Sequence, residues 1–406
     1  MSSRNSAAMI WALGTTQVIG YGTLYYAFSV LAPAIGAEFG WPPEWVFGAL
    51  SVALLAGGFL APVAGHLADR FGAARTMVAG SVAAALLLGA AGLAVDGYSF
   101  AAALIGMEIA SSLVLYATAF AALVQAGAEQ AQRRITYLTL IAGFASTLFW
   151  PLTAVLLEQL GWRGTYFVFA ALNLLVCAPL HFWLARGASV AAGQAAGKSQ
   201  QSVAEAGVLP LGRRNLALGL IMAGFAIEGL VLSGVLLQIM PLLQGLSLGA
   251  GALIITTLFG PAQVLSRLVN MLLGRDLPAT RLAVIAAALP PAGLVVLVTT
   301  TPSLVGAVVF AILFGLGSGL TSIVAGVLPL YLLGRNRYGA RLGWLSSARQ
   351  IASAIAPFLL AVAMGTLGIG GALWVSIGLG LVAVGVFVAV EAMASRRVAA
   401  VSVERG

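Results

Sequence analysis

The sequence predicts an all-α integral membrane protein in which twelve transmembrane helices form two pseudo-symmetric six-helix bundles, and three observations lead there. Of the 406 residues, 61% are hydrophobic and 8% are charged, with a mean hydropathy of +1.04. A soluble chain carries roughly 25% charged residues, so this one lacks the polar surface to face water on all sides. The apolar residues gather into about twelve stretches near the ~20 residues a spanning helix requires, without the ~10-residue alternation of an outer-membrane barrel. A polar, low-complexity segment then divides the stretches six and six.

In chain order, the first stretch, 9–36, is longer than the ~7–15-residue core of a secretory signal and reads as an uncleaved first span. Spans at 45–68, 75–95, 99–125, 134–157 and 163–185 complete an N-terminal bundle over 1–186. Residues 187–213, rich in Ala, Gly, Gln and Ser, read as a flexible cytoplasmic linker. It contains Gly193-Gln-Ala-Ala-Gly-Lys-Ser199, which lacks the leading glycine and the strand-to-helix setting of a phosphate-binding loop. Spans at 214–243, 249–273, 280–300, 302–333, 342–367 and 369–391 form the C-terminal bundle over 214–393, and 394–406 is a cytoplasmic tail. Prolines such as Pro33, Pro62, Pro151, Pro261 and Pro357 break the backbone ladder and allow kinks. With 50 glycines in the chain, a single Gly-x-x-x-Gly such as Gly315 to Gly319 carries little weight.

The chain has 20 Lys and Arg against 12 Asp and Glu, a net charge of +8. With the N-terminus inside, 17 of the 20 basic residues fall in cytoplasmic connections, and only Arg163 lies outside. The excess is therefore a topology signal with both termini cytoplasmic, as in a bacterial inner membrane. No basic soluble domain exists to hold nucleic acid. One cysteine, Cys177, and two histidines, His66 and His181, give no disulfide framework and no metal site, and no cofactor is expected. His181 reads as structural.

Landmarks recur about two hundred residues apart, the mark of a duplicated half. Gly40-Trp41 matches Gly245-Leu246, Gly65 to Asp69 matches Ser266 to Asn270, Arg133 matches Arg335, and Gly161 matches Gly368. The turn Gly65-His-Leu-Ala-Asp69-Arg70-Phe-Gly72-Ala-Ala-Arg75 resembles the signature between helices 2 and 3 of the major facilitator superfamily. The resemblance implies a gating latch in which Asp69 meets the positive end of a neighbouring helix and Arg70 binds carbonyls or acids. Ala73 and Ala74 stand where the family has a basic pair. Phe28, Val30, Pro33, Phe39-Gly40-Trp41, Ser51, Pro62 and the Asp69-to-Gly72 turn look like the monocarboxylate and oxalate/formate porter branch.

Ionisable groups inside spans cost about 2.5–3.5 kcal/mol each and usually face a cavity or a partner. Four lie there: Glu108, Glu228, Arg267 and Arg349. At 1.5 Å per residue, both arginines come out roughly 7–8 Å to the cytoplasmic side of their span midpoints, with Glu228 near its own, so the three could share a layer. Two guanidiniums facing one cavity can hold a small carboxylate by bidentate bonds. The oxalate/formate porters are similar in carrying basic residues on helices 8 and 11. Gln263 stands where monocarboxylate porters have an acid, so their proton-coupling pair is not inherited, and Glu228 could serve instead. The other reading of the arginines is a structural pairing with Glu228 or with carbonyls. Tyr21, Tyr25 and Tyr116 could complete the substrate wall, with Glu108 as a second coupling or gating acid.

The expected function is secondary transport of a small organic anion, a mono- or dicarboxylate, by alternating access, with a coupling proton and a monomer in the bilayer. The alternatives are a proton-coupled exporter of drugs or other amphiphiles and a membrane sensor that binds without transport. An enzyme is not expected, because no nucleophile–base pair or metal cluster is visible.

Overall fold

A computed structural model describes residues 3–127, 130–195, 207–274 and 277–403. Among these every regular element is helical. They divide into two compact units: unit 1 is Met1–Ser202 with Arg337–Ser347, and unit 2 is Val203–Asn336 with Ala348–Gly406.

Unit 1 opens with α1 (Ser3–Tyr21), which passes through a π-turn (Gly22–Tyr26) into α2 (Ala27–Phe39). Pro43 then starts α3 (Pro43–Phe71) at the first helical position, where its missing N–H has no bond to lose, and Gly72 ends it at a φ of 91°. α4 (Ala73–Gly92) follows directly. α5 (Gly97–Val114) begins with a capping box: the Asp96 carboxylate accepts the Ser99 N–H while the Ser99 hydroxyl lies 3.2 Å from the Asp96 N–H. α6 (Tyr116–Ala126) continues the fourth span after a break at Leu115. The unit then runs through α7 (Ala131–Ala142), α8 (Ala145–Leu172), a π-turn (Asn173–Cys177) and α9 (Ala178–Ala195). Phe39, Phe100, Trp162 and Tyr166 form its aromatic core, with ring centroids 5.7–6.1 Å apart.

Unit 2 holds α10 (Leu211–Leu237), α11 (Ile239–Gly245), α12 (Ala252–Thr257), α13 (Phe259–Leu273), α14 (Ala279–Thr300), α15 (Leu304–Leu333) and most of α16 (Tyr338–Val403). Phe259, Phe310 and Phe314 interlock at its core. Contrary to the reading of Gly315 to Gly319, that pair builds the α13–α15 contact. A Cβ on Gly315 would meet Ala262 at 2.7 Å, and one on Gly319 would meet the Gln263 carbonyl at 2.4 Å. Small residues let helix backbones approach where lipid supplies no hydrophobic drive.

Nine helical stretches among the described residues are long and apolar enough to cross a bilayer. Two of them, Ala131–Gly187 and Tyr338–Ser395, run 57 and 58 residues. At 1.5 Å per residue a straight helix of that length would far exceed a ~30 Å core, so each must turn back. The turns are single residues: Gly161 (φ 68°, ψ 175°) and Gly368 (φ 71°, ψ 168°), the matched landmarks of the two halves. The span expected at 249–273 is split into α12 and α13, leaving neither piece long enough to cross alone. Counting the doubled stretches and this split one gives the twelve spans.

The expected linker is helical as far as Ala195, and most of the Gly193-to-Ser199 motif lies outside the described residues, as do Lys198, Arg275 and Arg405. Val208 and Leu209 donate N–H bonds to the Tyr331 and Leu332 carbonyls, which docks the chain against the end of α15 before α10 starts.

Candidate functional site

Three of the four intramembrane charges belong to unit 2. Glu228 on α10 and Arg267 on α13 are buried, whereas Arg349 on α16 is exposed. Thr321 of α15 bonds its hydroxyl to Glu228 Oε1, and the same hydroxyl lies 2.9 Å from the Gly317 carbonyl. A hydroxyl has one proton and two lone pairs. It can donate to an ionised Glu228, or donate to Gly317 while accepting from a protonated Glu228. The side chain therefore serves either charge state of the acid.

Arg267 donates from Nε to the Gly319 carbonyl at 3.4 Å. Gly319 and Thr321 are two residues apart on α15, about 3 Å along its axis, so Arg267 and Glu228 meet this helix at nearly one level. Arg349 joins them from α16. A Cβ on Gly229 would lie 2.9 Å from its Cγ, and its charge acts on the Glu228 carboxylate. Arg349 makes no hydrogen bond, and no ion pair within 4.0 Å, among the described residues, whose two ion pairs are Arg163–Glu38 and Arg281–Glu391. The α10–α16 seam is laced by Ser353 Oγ to the Gly229 carbonyl, Ser233 Oγ to the Ser353 carbonyl and Gln238 Nε2 to the Pro357 carbonyl. Gln263 is half-buried one turn before Arg267, its carbonyl accepting the Ser266 hydroxyl.

In unit 1, Tyr21 packs on Tyr116 at 4.6 Å between centroids, Tyr25 on Tyr26 at 5.1 Å, and Tyr26 on Trp150 at 6.0 Å. Tyr21 and Tyr116 are half-buried and Tyr25 is exposed. The π-turn sets them: a Cβ on Gly22 would enter the Phe149 ring, so only glycine lets the turn close there. Gln17, fully buried, donates its amide to the Val114 carbonyl at 2.7 Å, and Thr118 donates its hydroxyl to the Ser112 carbonyl. These side chains take carbonyls that the break at Leu115 releases. Glu108 lies buried two turns earlier, with the Ser111 hydroxyl 3.4 Å from its Oε2.

The turn after α3 is also organised within unit 1. Asp69 accepts the Gly339 N–H at 2.9 Å and the Ala340 N–H at 2.8 Å, capping the start of α16 with both carboxylate oxygens. Gly65 and Gly343 allow the approach, since a Cβ on either would strike a facing carbonyl. Among the described residues Arg70 makes no hydrogen bond or ion pair; its guanidinium stacks over Phe71 at 5.1 Å. Ala73 and Ala74 are buried in place of a basic pair, and Gln125 of α6 ties the turn by bonding the Ala68 carbonyl and the Ala73 N–H.

Gln17, Gln125 and Thr321 were not singled out by sequence. Each is a polar side chain inside or at the end of an apolar span, the same signal that marked the four charges. Among the described residues no three His, Cys, Asp or Glu side chains gather as a metal site.

The sequence matches the family model described as Major Facilitator Superfamily over residues 13–357. No curated protein matches it. Among solved structures, the fold is similar to the human organic anion transporter MFSD10 (TETRAN), with a TM-score of 0.72 and 16% identity over 95% of this chain and 100% of that one. It is similar to a bacterial homologue of the iron transporter ferroportin at a TM-score of 0.73 and 17% identity, covering 95% of this chain and 99% of that one. It is also similar to the proton:xylose symporter XylE, at 0.68 and 13%, covering 93% and 95%. At these identities the likeness is one of fold.

Proposed function

The chain belongs to the major facilitator superfamily, and on that premise we propose that it is a secondary transporter carrying a small organic anion, a mono- or dicarboxylate, by alternating access. Members of this family are transporters, so an enzyme is not proposed. The observation that carries the substrate class is Arg349: an exposed guanidinium inside a spanning segment, without a hydrogen-bond partner among the described residues, on the level that Arg267 and Glu228 share. A carboxylate ligand would complete that charge. Arg267 and Arg349 bind the cargo, with Gln263, Tyr21, Tyr25 and Tyr116 as further contacts. Glu228 holds the coupling proton, supported by the ambivalent Thr321 hydroxyl. Asp69 gates, and its cap on Gly339 and Ala340 supports that role.

One solved neighbour is named as an organic anion transporter, but two others are named as a proton:xylose symporter and a homologue of an iron transporter, so the reading rests on the residues. We place the protein in a bacterial inner membrane with both termini cytoplasmic, as a monomer. A second reading, a proton-coupled exporter of drugs or other amphiphiles, draws on the buried Glu108, whose carboxylate has the Ser111 hydroxyl as its one hydrogen-bond partner among the described residues. A thermal-shift screen of purified protein against carboxylates and cationic drugs, repeated on Arg267→Gln and Arg349→Gln, separates the two. Carboxylate stabilisation that is lost in both variants supports the proposal; stabilisation that survives both refutes it. Flux into liposomes then distinguishes a transporter from a sensor.

A further inference from the structure

Away from the charged layer, α4 and α9 of unit 1 flank an open surface groove of about 380 Å³ lined by Arg75, Val78, Phe182, Ala185 and Arg186. Arg75 lies in the first turn of α4, where the helix dipole already presents positive charge, and that turn holds no acid. Arg75 makes no hydrogen bond or ion pair among the described residues. A cation so placed is unfavourable until an anion joins it. Arg186 comes to the same groove from α9, its guanidinium over the Phe182 ring at 5.1 Å. Between the two arginines the lining is apolar: Val78, Ala185 and Phe182.

Exposed aromatic side chains stand beside the groove. Phe182 and Trp183 are 52% and 51% exposed, one turn from Arg186, as aromatic residues are at the interfacial belt of a spanning helix. The helix register beneath the groove is fixed by a buried pair, with Ser81 Oγ and His181 Nδ1 2.8 Å apart. Ser81 follows Arg75 by six residues and His181 precedes Arg186 by five, so this pin sits about 8–9 Å deeper than the arginines. The two guanidiniums are thus held at one end of two packed helices, above an apolar floor.

We propose that this groove binds an anionic phospholipid, its phosphodiester between Arg75 and Arg186 and the top of an acyl chain along Val78, Ala185 and Phe182. Guanidinium forks match phosphate oxygens in shape and charge. Free phosphate would bring the same charge but leave the apolar floor uncovered, and a zwitterionic lipid would cover the floor without net charge. The site is separate from the cargo site and stands whatever the cargo is.

The test titrates the purified, delipidated protein with phosphatidylglycerol, phosphatidylcholine or inorganic phosphate and counts bound molecules by native mass spectrometry. Two basic side chains near a membrane surface predict roughly a thirtyfold preference for phosphatidylglycerol over phosphatidylcholine, weakening with salt. The preference should vanish in the double variant Arg75→Gln/Arg186→Gln and persist in Arg75→Lys/Arg186→Lys. Val78→Trp, which fills the floor and leaves both charges, should also lose the lipid, and it tests the site if the double glutamine variant does not fold. An unchanged preference in the glutamine or the tryptophan variant overturns the proposal. So does binding of inorganic phosphate that displaces phosphatidylglycerol at equal concentration.

Discussion

Thr321 and Glu228 face each other across α15 and α10 with the Gly317 carbonyl behind the threonine hydroxyl, so one proton on the hydroxyl can serve two states of the acid. Thr321→Val keeps the branched shape and removes the bond. A hydrogen bond to a charged group is worth about 1.5–3 kcal/mol, and unfolding in mixed detergent should register a loss of that size. In the background of Glu228→Gln the same change should cost less, because the charge that strengthens the bond is gone. Equal costs in both backgrounds would mean that the carboxylate is not its partner.

Arg349 offers a planar fork at the level of Arg267 and Glu228. If it holds a carboxylate bidentately, Arg349→Gln should weaken carboxylate binding by roughly 10- to 100-fold, read by calorimetric titration, and Arg349→Lys should recover only part of that. Full recovery by lysine would point to a plain charge requirement instead of fork geometry.

Asp69 caps two amides of Arg337–Ser347. Asp69→Ala should speed hydrogen exchange at Gly339 and Ala340 by about 10-fold, the equivalent of a lost cap, with less change in the middle of α16. Asp69→Asn keeps one acceptor and should fall between. No change at those amides would show that the cap is not formed in solution.

Asp96 accepts the Ser99 N–H at the start of α5, and those hydrogen bonds hold its carboxyl below the usual aspartate range. Its contribution is therefore present above the unfolded value and is lost as pH falls through the lowered folded value. Asp96→Asn should remove this group's share of the acid-side loss of stability, measured as thermal midpoint against pH. An unaltered profile would mean that the cap contributes nothing measurable.

Gly161 and Gly368 have φ and ψ that fall in a region essentially confined to glycine, and a Cβ at either would meet nothing within 4 Å. Alanine there meets backbone strain alone, about 1–3 kcal/mol at each site. The two costs should be similar, since the conformations are. A large difference in unfolding free energy between Gly161→Ala and Gly368→Ala would break the equivalence of the two turns.

What could be read in the sequence was whatever lipid makes costly. Hydrocarbon penalises charge, so Glu108, Glu228, Arg267 and Arg349 stood out, and twelve apolar runs announced the fold. Gly161 and Gly368 were visible as a repeat. The break at Leu115 was not, because neither glycine nor proline marks it. Its freed Val114 carbonyl is taken by Gln17, 97 residues away, and no local pattern carries that pairing. The weight of Gly315 and Gly319 was hidden for a similar reason. Fifty glycines look alike until the carbonyl each one faces is known.

The single-residue turns at Gly161 and Gly368 also constrain how the chain is made. Two membrane crossings joined without slack are expected to partition into lipid as one hairpin. Its partition into the bilayer is then decided by the summed apolarity of both arms, so a weakly hydrophobic arm is carried in by a stronger one. Arg349, within the second such pair, can be tolerated during synthesis on this account. The hairpin that delivers it includes Trp374 to Val390, a run with no charged residue.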